Sequence, residues 1–258
     1  MFRLSPHRLS IFRQCRRRYW YRYVDRRHAE LHKQWPFLIF GQTMHATLKQ
    51  FLGPANHERG YAQARAILVD RWAETRAGYT SRDEEVMYWR RGLAQLRWLC
   101  NCEEAQARPS MLEATYSTYL TSDFRLDGKI DRVDVDGTGG CHVVDYKTGK
   151  SSRGADALQL LIYALILSGS LHFDVRSASF LFLNGEGRRP VQPGEADLRW
   201  AREELFATRA DIEAEREFKS SPSFLCRWCD FLDLCPAGRE AVTGVAGDEP
   251  DWAEEPES

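Results

Sequence analysis

The 258-residue chain has no run of eighteen apolar residues, so it offers no segment that reads as a bilayer-crossing helix. Its first residues, Met1-Phe2-Arg3-Leu4-Ser5-Pro6, lack the apolar stretch of a secretory leader, which sets the expectation of a cytoplasmic protein. Internal repeats and long linkers are also missing. A phosphate-binding P-loop is incomplete: Gly149-Lys150-Ser151 has its ending, but the glycine needed five positions earlier is Val144, which argues against NTP hydrolysis. The formal net charge of −1 excludes a bulk polycation. Residues 240–258 hold seven acids and no lysine or arginine, the composition of an acidic, disordered tail. Seven cysteines are an odd number, and in a cytoplasmic chain they read as reduced thiols or metal ligands rather than a disulfide framework.

What is present begins with charge. Residues 1–33 carry ten lysines and arginines against Asp25 and Glu30. Within them Arg16-Arg17-Arg18-Tyr19-Trp20-Tyr21-Arg22-Tyr23 interleaves cations with aromatics, which suits phosphate contact and base stacking on single strands. Arg16 and Arg17 are therefore candidate DNA contacts. Some of the aromatics are expected in the core instead.

The periodicity predicts helices at 5–24, with Ser5-Pro6 as cap and first turn, and at 38–53, where Phe40, Met44, Leu48 and Phe51 share a face. Residues 56–106 look helical as well, with a stripe of Leu68, Trp72, Trp89, Leu93, Leu96 and Trp98. The pattern then changes. Strands are predicted at 111–121, 124–135 and 141–147, an apolar helix at 155–168, a strand at 175–183 and a charged helix at 195–216. Three consecutive strands suit a meander and the later helix-then-strand suits a crossover, giving an α/β fold with a mixed sheet flanked by helices.

On the third strand, Asp145 and Lys147 are two apart and point to one face. Their neighbours Val143, Val144 and Tyr146 mark that strand as buried, so the charged pair needs a reason. Asp131 lies near the end of the preceding strand, close to Asp145 if the two strands pair across the Gly-rich turn at 136–140. Two adjacent carboxylates repel, and a hard divalent cation such as Mg²⁺ or Mn²⁺ relieves that repulsion. Lys147 beside them suits orienting water and offsetting charge on a phosphate, the equipment for phosphodiester hydrolysis.

The segments Gly128-Lys129-Ile130-Asp131-Arg132-Val133-Asp134 and Val143-Val144-Asp145-Tyr146-Lys147-Thr148-Gly149 resemble the RecB-type branch of the PD-(D/E)xK nuclease superfamily. Gly41-Gln42-Thr43-Met44-His45 is similar to its upstream histidine motif, and Gln159 with Tyr163 to its Gln-x-x-x-Tyr motif. The likeness spans roughly residues 4–236. The proline of the superfamily's name is absent here, because Ile130 precedes Asp131. The resemblance implies a restriction-endonuclease-like fold. It implies His45, Asp131, Asp145 and the backbone carbonyl of Tyr146 as ligands of Mg²⁺ or Mn²⁺, and Lys147 as the residue that positions water. It places Gln159 and Tyr163 along the DNA groove. Glu113, opening the first strand, is a weaker candidate that pairs with an arginine in the competing reading.

Cys226-x2-Cys229-x5-Cys235 is spaced for a metal site that needs a fourth ligand. Cys15 is the natural candidate and the Cys100/Cys102 pair the competitor; Cys141 reads as a core residue. Zinc and an iron–sulfur cluster both fit four thiolates. The arrangement resembles the 4Fe–4S staple of iron–sulfur members of the same nuclease branch, among them the AddB nuclease domain and the CRISPR adaptation exonucleases. That implies a cluster on Cys15, Cys226, Cys229 and Cys235, with Zn²⁺ as the alternative.

Taken together, residues 1–240 are expected to form one nuclease domain. It comprises a basic arm (1–35), a helical region (36–106), a catalytic core (107–184) and a C-terminal helix with the Cys-rich segment (185–240), followed by the tail at 241–258. The expected activity is a Mg²⁺/Mn²⁺-dependent deoxyribonuclease, an exonuclease or end-processing enzyme on single-stranded DNA in repair, recombination or defence. A helicase or other nucleic-acid-processing partner is compatible with it, and no membrane partner is expected. The rival readings are a non-catalytic DNA-end-binding scaffold with an iron–sulfur cluster, and a CRISPR spacer-trimming exonuclease.

Overall fold

Residues 1–25, 31–57, 59–149 and 156–243 are described by the structure, a computed structural model. Arg26 and Arg27 of the basic arm, Lys150 and Ser151 of the P-loop-like ending, and residues 244–258 of the tail lie outside the described residues. The chain forms two compact units: Met1–Arg3 with Gln34–Glu203, and Leu4–Lys33 with Glu204–Ser258.

The first unit is built on a mixed sheet. A short β1 (Phe2–Leu4) is followed by β2 (Met111–Thr121), β3 (Phe124–Val135) and β4 (Gly140–Lys147), the last three forming the expected antiparallel meander. The turn between β3 and β4 closes on Asp136, whose carboxylate accepts the N–H groups of Thr138 (2.8 Å) and Gly140 (2.9 Å). Gly139 takes φ +83 there, a conformation that costs glycine little. The crossover helix α6 (Ala157–Leu171) then returns the chain so that β5 (Asp174–Phe182) lies parallel to β4. With β6 (Gly187–Val191) the sheet runs β1-β3-β4-β5-β6, with β2 also on β3. The edge strand β6 has no sequence counterpart in the predicted strands: Gly-Arg-Arg-Pro-Val shows no alternation, and Pro190 is tolerated because the strand is at an edge.

Asp156 caps α6 by accepting the Leu158 N–H at 3.0 Å, and the helix is buried along Leu160–Leu167. Its Leu160, Ala164 and Leu167 pack on Ile130, Val143, Ala178 and Phe180 of the sheet, with Cys141 in the same core. Three further helices belong to the unit: α3 (Pro36–Leu52), α4 (Tyr61–Thr75) and α5 (Arg82–Cys100). The helical region read at 56–106 contains two of them, α4 and α5. Ser81 restarts the chain as an N-cap, accepting the Glu84 N–H at 3.1 Å, and Asp83, Glu84 and Glu85 complement the dipole of the first turn. No helix among the described residues is long and apolar enough to cross a membrane.

The second unit joins the two ends of the chain. Ser5 and Pro6 start α1 (Pro6–Gln14), but the helix stops at Cys15, which is extended (φ −159). It resumes as α2 (Arg16–Tyr19) and widens into a π-helical turn at Trp20–Val24, so the predicted helix 5–24 is broken at the cysteine. Tyr19 is fully buried, edge-on to Phe12 at 5.1 Å, and its hydroxyl accepts from Arg8. Tyr21 stacks on Phe231 at 5.2 Å and donates to the Leu234 carbonyl at 2.9 Å; Arg22 pairs with Asp230.

Beyond the end of α7 (Glu195–Ala214), Glu215 accepts the N–H groups of Phe218, Glu217 and Arg216 and the guanidinium of Arg16. Those backbone donors, Phe218 first, and the Arg16 contact hold its carboxyl down at about 2. A carboxyl depressed on folding stabilises above its unfolded value and loses that contribution as pH falls towards the folded one. Glu215→Gln is therefore expected to lower the melting temperature at neutral pH, with the gap to wild type closing as pH drops from about 5 to about 3. A gap that is constant across that range, followed by thermal melts, would show that the carboxylate charge is irrelevant.

Candidate active site

The last paired rung between β3 and β4 is Arg132 with Val144, and one step beyond it stand Asp131 and Asp145. Facing positions of antiparallel strands share a face, so the meander brings these carboxylates together. Both are buried, at 7% and 3% exposure. Asp131 Oδ2 accepts the Tyr146 N–H at 2.8 Å, which pins it to the neighbouring strand.

His45, on α3, places Nδ1 3.3 Å from Asp131 Oδ1 and 3.0 Å from Glu113 Oε1. Glu113 is on β2, where the ladder pairs Leu112 with Arg132 and Ala114 with Ile130 and skips Glu113. Its φ of +51 is left-handed, a conformation that costs a non-glycine residue about 1 kcal/mol or more and concentrates at functional sites. The competing reading of Glu113, an arginine partner, is not what the structure shows: its other oxygen meets Lys129. The donor atoms of His45, Glu113 and Asp131 all lie within 4.8 Å of one another.

Asp145 has a separate set of partners. Its Oδ1 accepts from Gln159 Nε2 at 2.7 Å, and Lys147 Nζ lies 2.7 Å from Oδ2. Lys147 Nζ also donates to Gln159 Oε1 at 3.1 Å. Gln159 thus bridges the acid and the lysine with its two amide ends. One helical turn on, the Tyr163 hydroxyl accepts from the same Nε2 at 3.0 Å. Tyr163 is 5% exposed, so its ring belongs to the core and its hydroxyl to this cluster. Asp145 Oδ2 is buried and, apart from the Lys147 ion pair, receives no hydrogen bond.

Burial pushes the Asp145 carboxyl up to about 6; Lys147 opposes the rise and the Asp131 charge adds to it. His45 is subject to the reverse balance. Burial alone would lower it, but hydrogen bonds to Asp131 and Glu113 and their charges raise it to about 10. The two carboxylates thus favour a proton on the imidazole, which a metal ligated there would have to displace. An imidazole nitrogen and the carboxylate oxygens of Glu113 and Asp131, with Asp145 beside them, form a donor set that fits a hard divalent cation. Lys129, missed at sequence level, had one signal: it is two residues before Asp131 on a strand, hence on the same face.

The four predicted cluster cysteines lie together in the second unit. Cys15, Cys226, Cys229 and Cys235 line one cavity with Arg17, Arg18 and Tyr21. The Ser221 N–H donates to Cys15 Sγ at 3.5 Å and the Ser223 N–H to Cys226 Sγ at 3.4 Å. Burial raises the Cys229 thiol. Cys100 and Cys102 belong to the first unit and do not line this cavity; Cys102 donates to the Trp98 carbonyl at 3.3 Å. Arg16 is half exposed and held by Glu215, with its guanidinium 5.2 Å over Phe12. Arg17 lies 5.7 Å over Trp20.

No curated protein matches the chain. Among solved structures, the one described as "Crystal structure of SSO0001" aligns with a TM-score of 0.42 at 15% identity, covering 92% of this chain and 86% of that one. The family described as the PD-(D/E)XK nuclease superfamily matches residues 3–236, a span that takes in both strands of the Asp131/Asp145 pair, His45 and Gln159. The chain belongs to the PD-(D/E)XK nuclease superfamily, whose members are metal-dependent nucleases acting on nucleic acid.

Proposed function

We propose that residues 1–240 act as one nuclease domain, a Mg²⁺- or Mn²⁺-dependent deoxyribonuclease that trims free ends of single-stranded DNA. The observation that carries this reading is the buried Asp131/Asp145 pair with Lys147 locked against it by Gln159. His45, Glu113 and Asp131 would hold the cation, joined by Asp145 and the Tyr146 carbonyl. A bound divalent cation polarises phosphate oxygens and makes water a nucleophile near neutral pH. The chain's own work is to orient: Asp145 and Gln159 aim Lys147 Nζ at the place where the attacking water and the developing phosphate charge would meet. The single-stranded substrate rests on the sequence pattern at 16–23; Tyr19 and Tyr21 are taken up by packing and Arg22 by Asp230, which leaves Arg16 and Arg17 as the candidate phosphate contacts. Cleavage is expected to stop when EDTA removes the metal and to return on adding Mn²⁺; cleavage that persists in EDTA would contradict the reading.

In this reading Gln159 works chiefly on the acid–lysine pair. Gln159→Met, close in size but without the bridging amide, is expected to lower kcat by about 10- to 100-fold with little change in KM, since misplacing a reacting group by about 1 Å costs that order. A rise in KM with kcat preserved, in steady-state kinetics on a single-stranded oligonucleotide, would make Gln159 and Tyr163 mainly DNA contacts.

The cysteine cavity supports a 4Fe–4S cluster on Cys15, Cys226, Cys229 and Cys235. The Ser221 and Ser223 N–H groups aimed at two of the sulfurs, with Arg17 and Arg18 lining the cavity, suit a negatively charged thiolate centre, Zn²⁺ being the alternative occupant.

A further inference from the structure

We propose that Arg91 and Gln95 are positioning residues for Lys147, acting through the backbone of Thr148; the inference rests on the nuclease reading above. Thr148 is the first residue beyond β4. Its carbonyl accepts two side-chain hydrogen bonds, one from Arg91 Nη2 and one from Gln95 Nε2 at 2.9 Å. These donors are four apart on α5 and therefore share a helix face. The carbonyl before it, that of Lys147, accepts the Leu183 N–H at 2.9 Å. Lys147 is thus gripped at consecutive peptide groups, by the sheet on one side and by α5 on the other.

A third element converges on the same point. A Cβ built on Gly41 would lie 3.8 Å from Thr148 Oγ1, and Gly41 is one helical turn before His45 on α3. The two donors are themselves held by packing. Gln95 is 2% exposed, and the Arg91 guanidinium lies 5.3 Å over the Phe40 ring. Lys147 must keep its ammonium at 2.7 Å from Asp145 and 3.1 Å from Gln159. A clamp one residue away holds the backbone from which that ammonium is aimed. Neither clamp residue need touch DNA, so its loss should show in turnover rather than in substrate affinity.

The test is steady-state cleavage of a single-stranded oligonucleotide with Mn²⁺ by the full chain and by Arg91→Ala, Arg91→Lys and Gln95→Met, with thermal melts alongside. Arg91→Ala is expected to lower kcat by about 10-fold with KM within about twofold, in line with the cost of a displaced reacting group. Arg91→Lys should recover part of the loss, because an ammonium can donate to the same carbonyl. Gln95→Met, nearly isosteric and suited to a buried site, should lower kcat by several-fold, and it decides the matter if Arg91→Ala does not fold. Wild-type kinetics in the folded variants would overturn the proposal. So would an unchanged kcat with raised KM and a salt slope reduced by about one, the signature of a phosphate contact. Failure of the wild-type chain to cleave in any metal would instead count against the nuclease reading.

Discussion

Asp145→Ala is expected to lower DNA cleavage by on the order of 10³-fold or more, the scale on which losing a central electrostatic group slows an enzyme. Asp145 holds Lys147 at 2.7 Å, accepts from Gln159 and shares its buried face with Asp131. Removing it frees the lysine and deletes a proposed metal ligand in one step. The fold should survive, because the carboxylate is a strained guest there. Burial and the Asp131 charge raise its carboxyl to about 6, so near neutral pH the folded state works against its ionisation. In EDTA the melting temperature of Asp145→Asn should equal or exceed that of wild type. Added Mn²⁺ should raise the wild-type melting temperature and leave the variant's nearly unchanged, since a ligand stabilises only the state that binds it. An Asp145→Ala protein that cuts at the wild-type rate would mean the active site lies elsewhere.

The second large effect concerns the cysteine cavity. Protein purified without oxygen should be brown, absorb near ~400 nm and contain iron and sulfide, as thiolate-bound clusters do. Cys229→Ala should lose that colour and melt more than about 10 °C lower, because a small unit depends heavily on such staples. The unit is small and assembled from two segments, Leu4–Lys33 and the one that begins at Glu204, joined by contacts such as Tyr21 on Phe231 and Arg22 on Asp230. Stoichiometric zinc without sulfide would replace the cluster by the zinc alternative. A colourless protein whose stability is indifferent to Cys229→Ala would remove the metal site altogether.

The strands that carry the site were legible because their signal is local. Period-two alternation bounded by a Gly-rich turn marks β2 and β3 over 111–121 and 124–135, the ranges observed. Pairing of β3 with β4 across the turn at 136–140 was expected to bring Asp131 close to Asp145, and the observed register makes them facing positions. The histidine and glutamine motifs came through family resemblance, since one histidine or one Gln-x-x-x-Tyr on a helix carries no chemistry by itself. What stayed hidden depends on tertiary context. Glu113 gains its place from a left-handed backbone inside a strand, which no side-chain pattern announces. The break at Cys15 interrupts a run of good helix formers. The edge strand β6 has no apolar face to alternate. Arg91 and Gln95 look like ordinary polar positions of α5 until the chain returns at Thr148. The links around Asp145 were hidden for the same reason: Gln159 and Tyr163 are groove residues by resemblance, and only the fold shows Gln159 bridging Asp145 and Lys147 while donating to the Tyr163 hydroxyl.

The most direct test of the central claim is digestion of end-labelled single- and double-stranded DNA by the full chain, purified without oxygen, with and without Mn²⁺. The account predicts label released as short products from single-stranded ends, only when the metal is present. DNA that is bound but left intact in Mg²⁺ and in Mn²⁺ would contradict it and make the chain a binding scaffold.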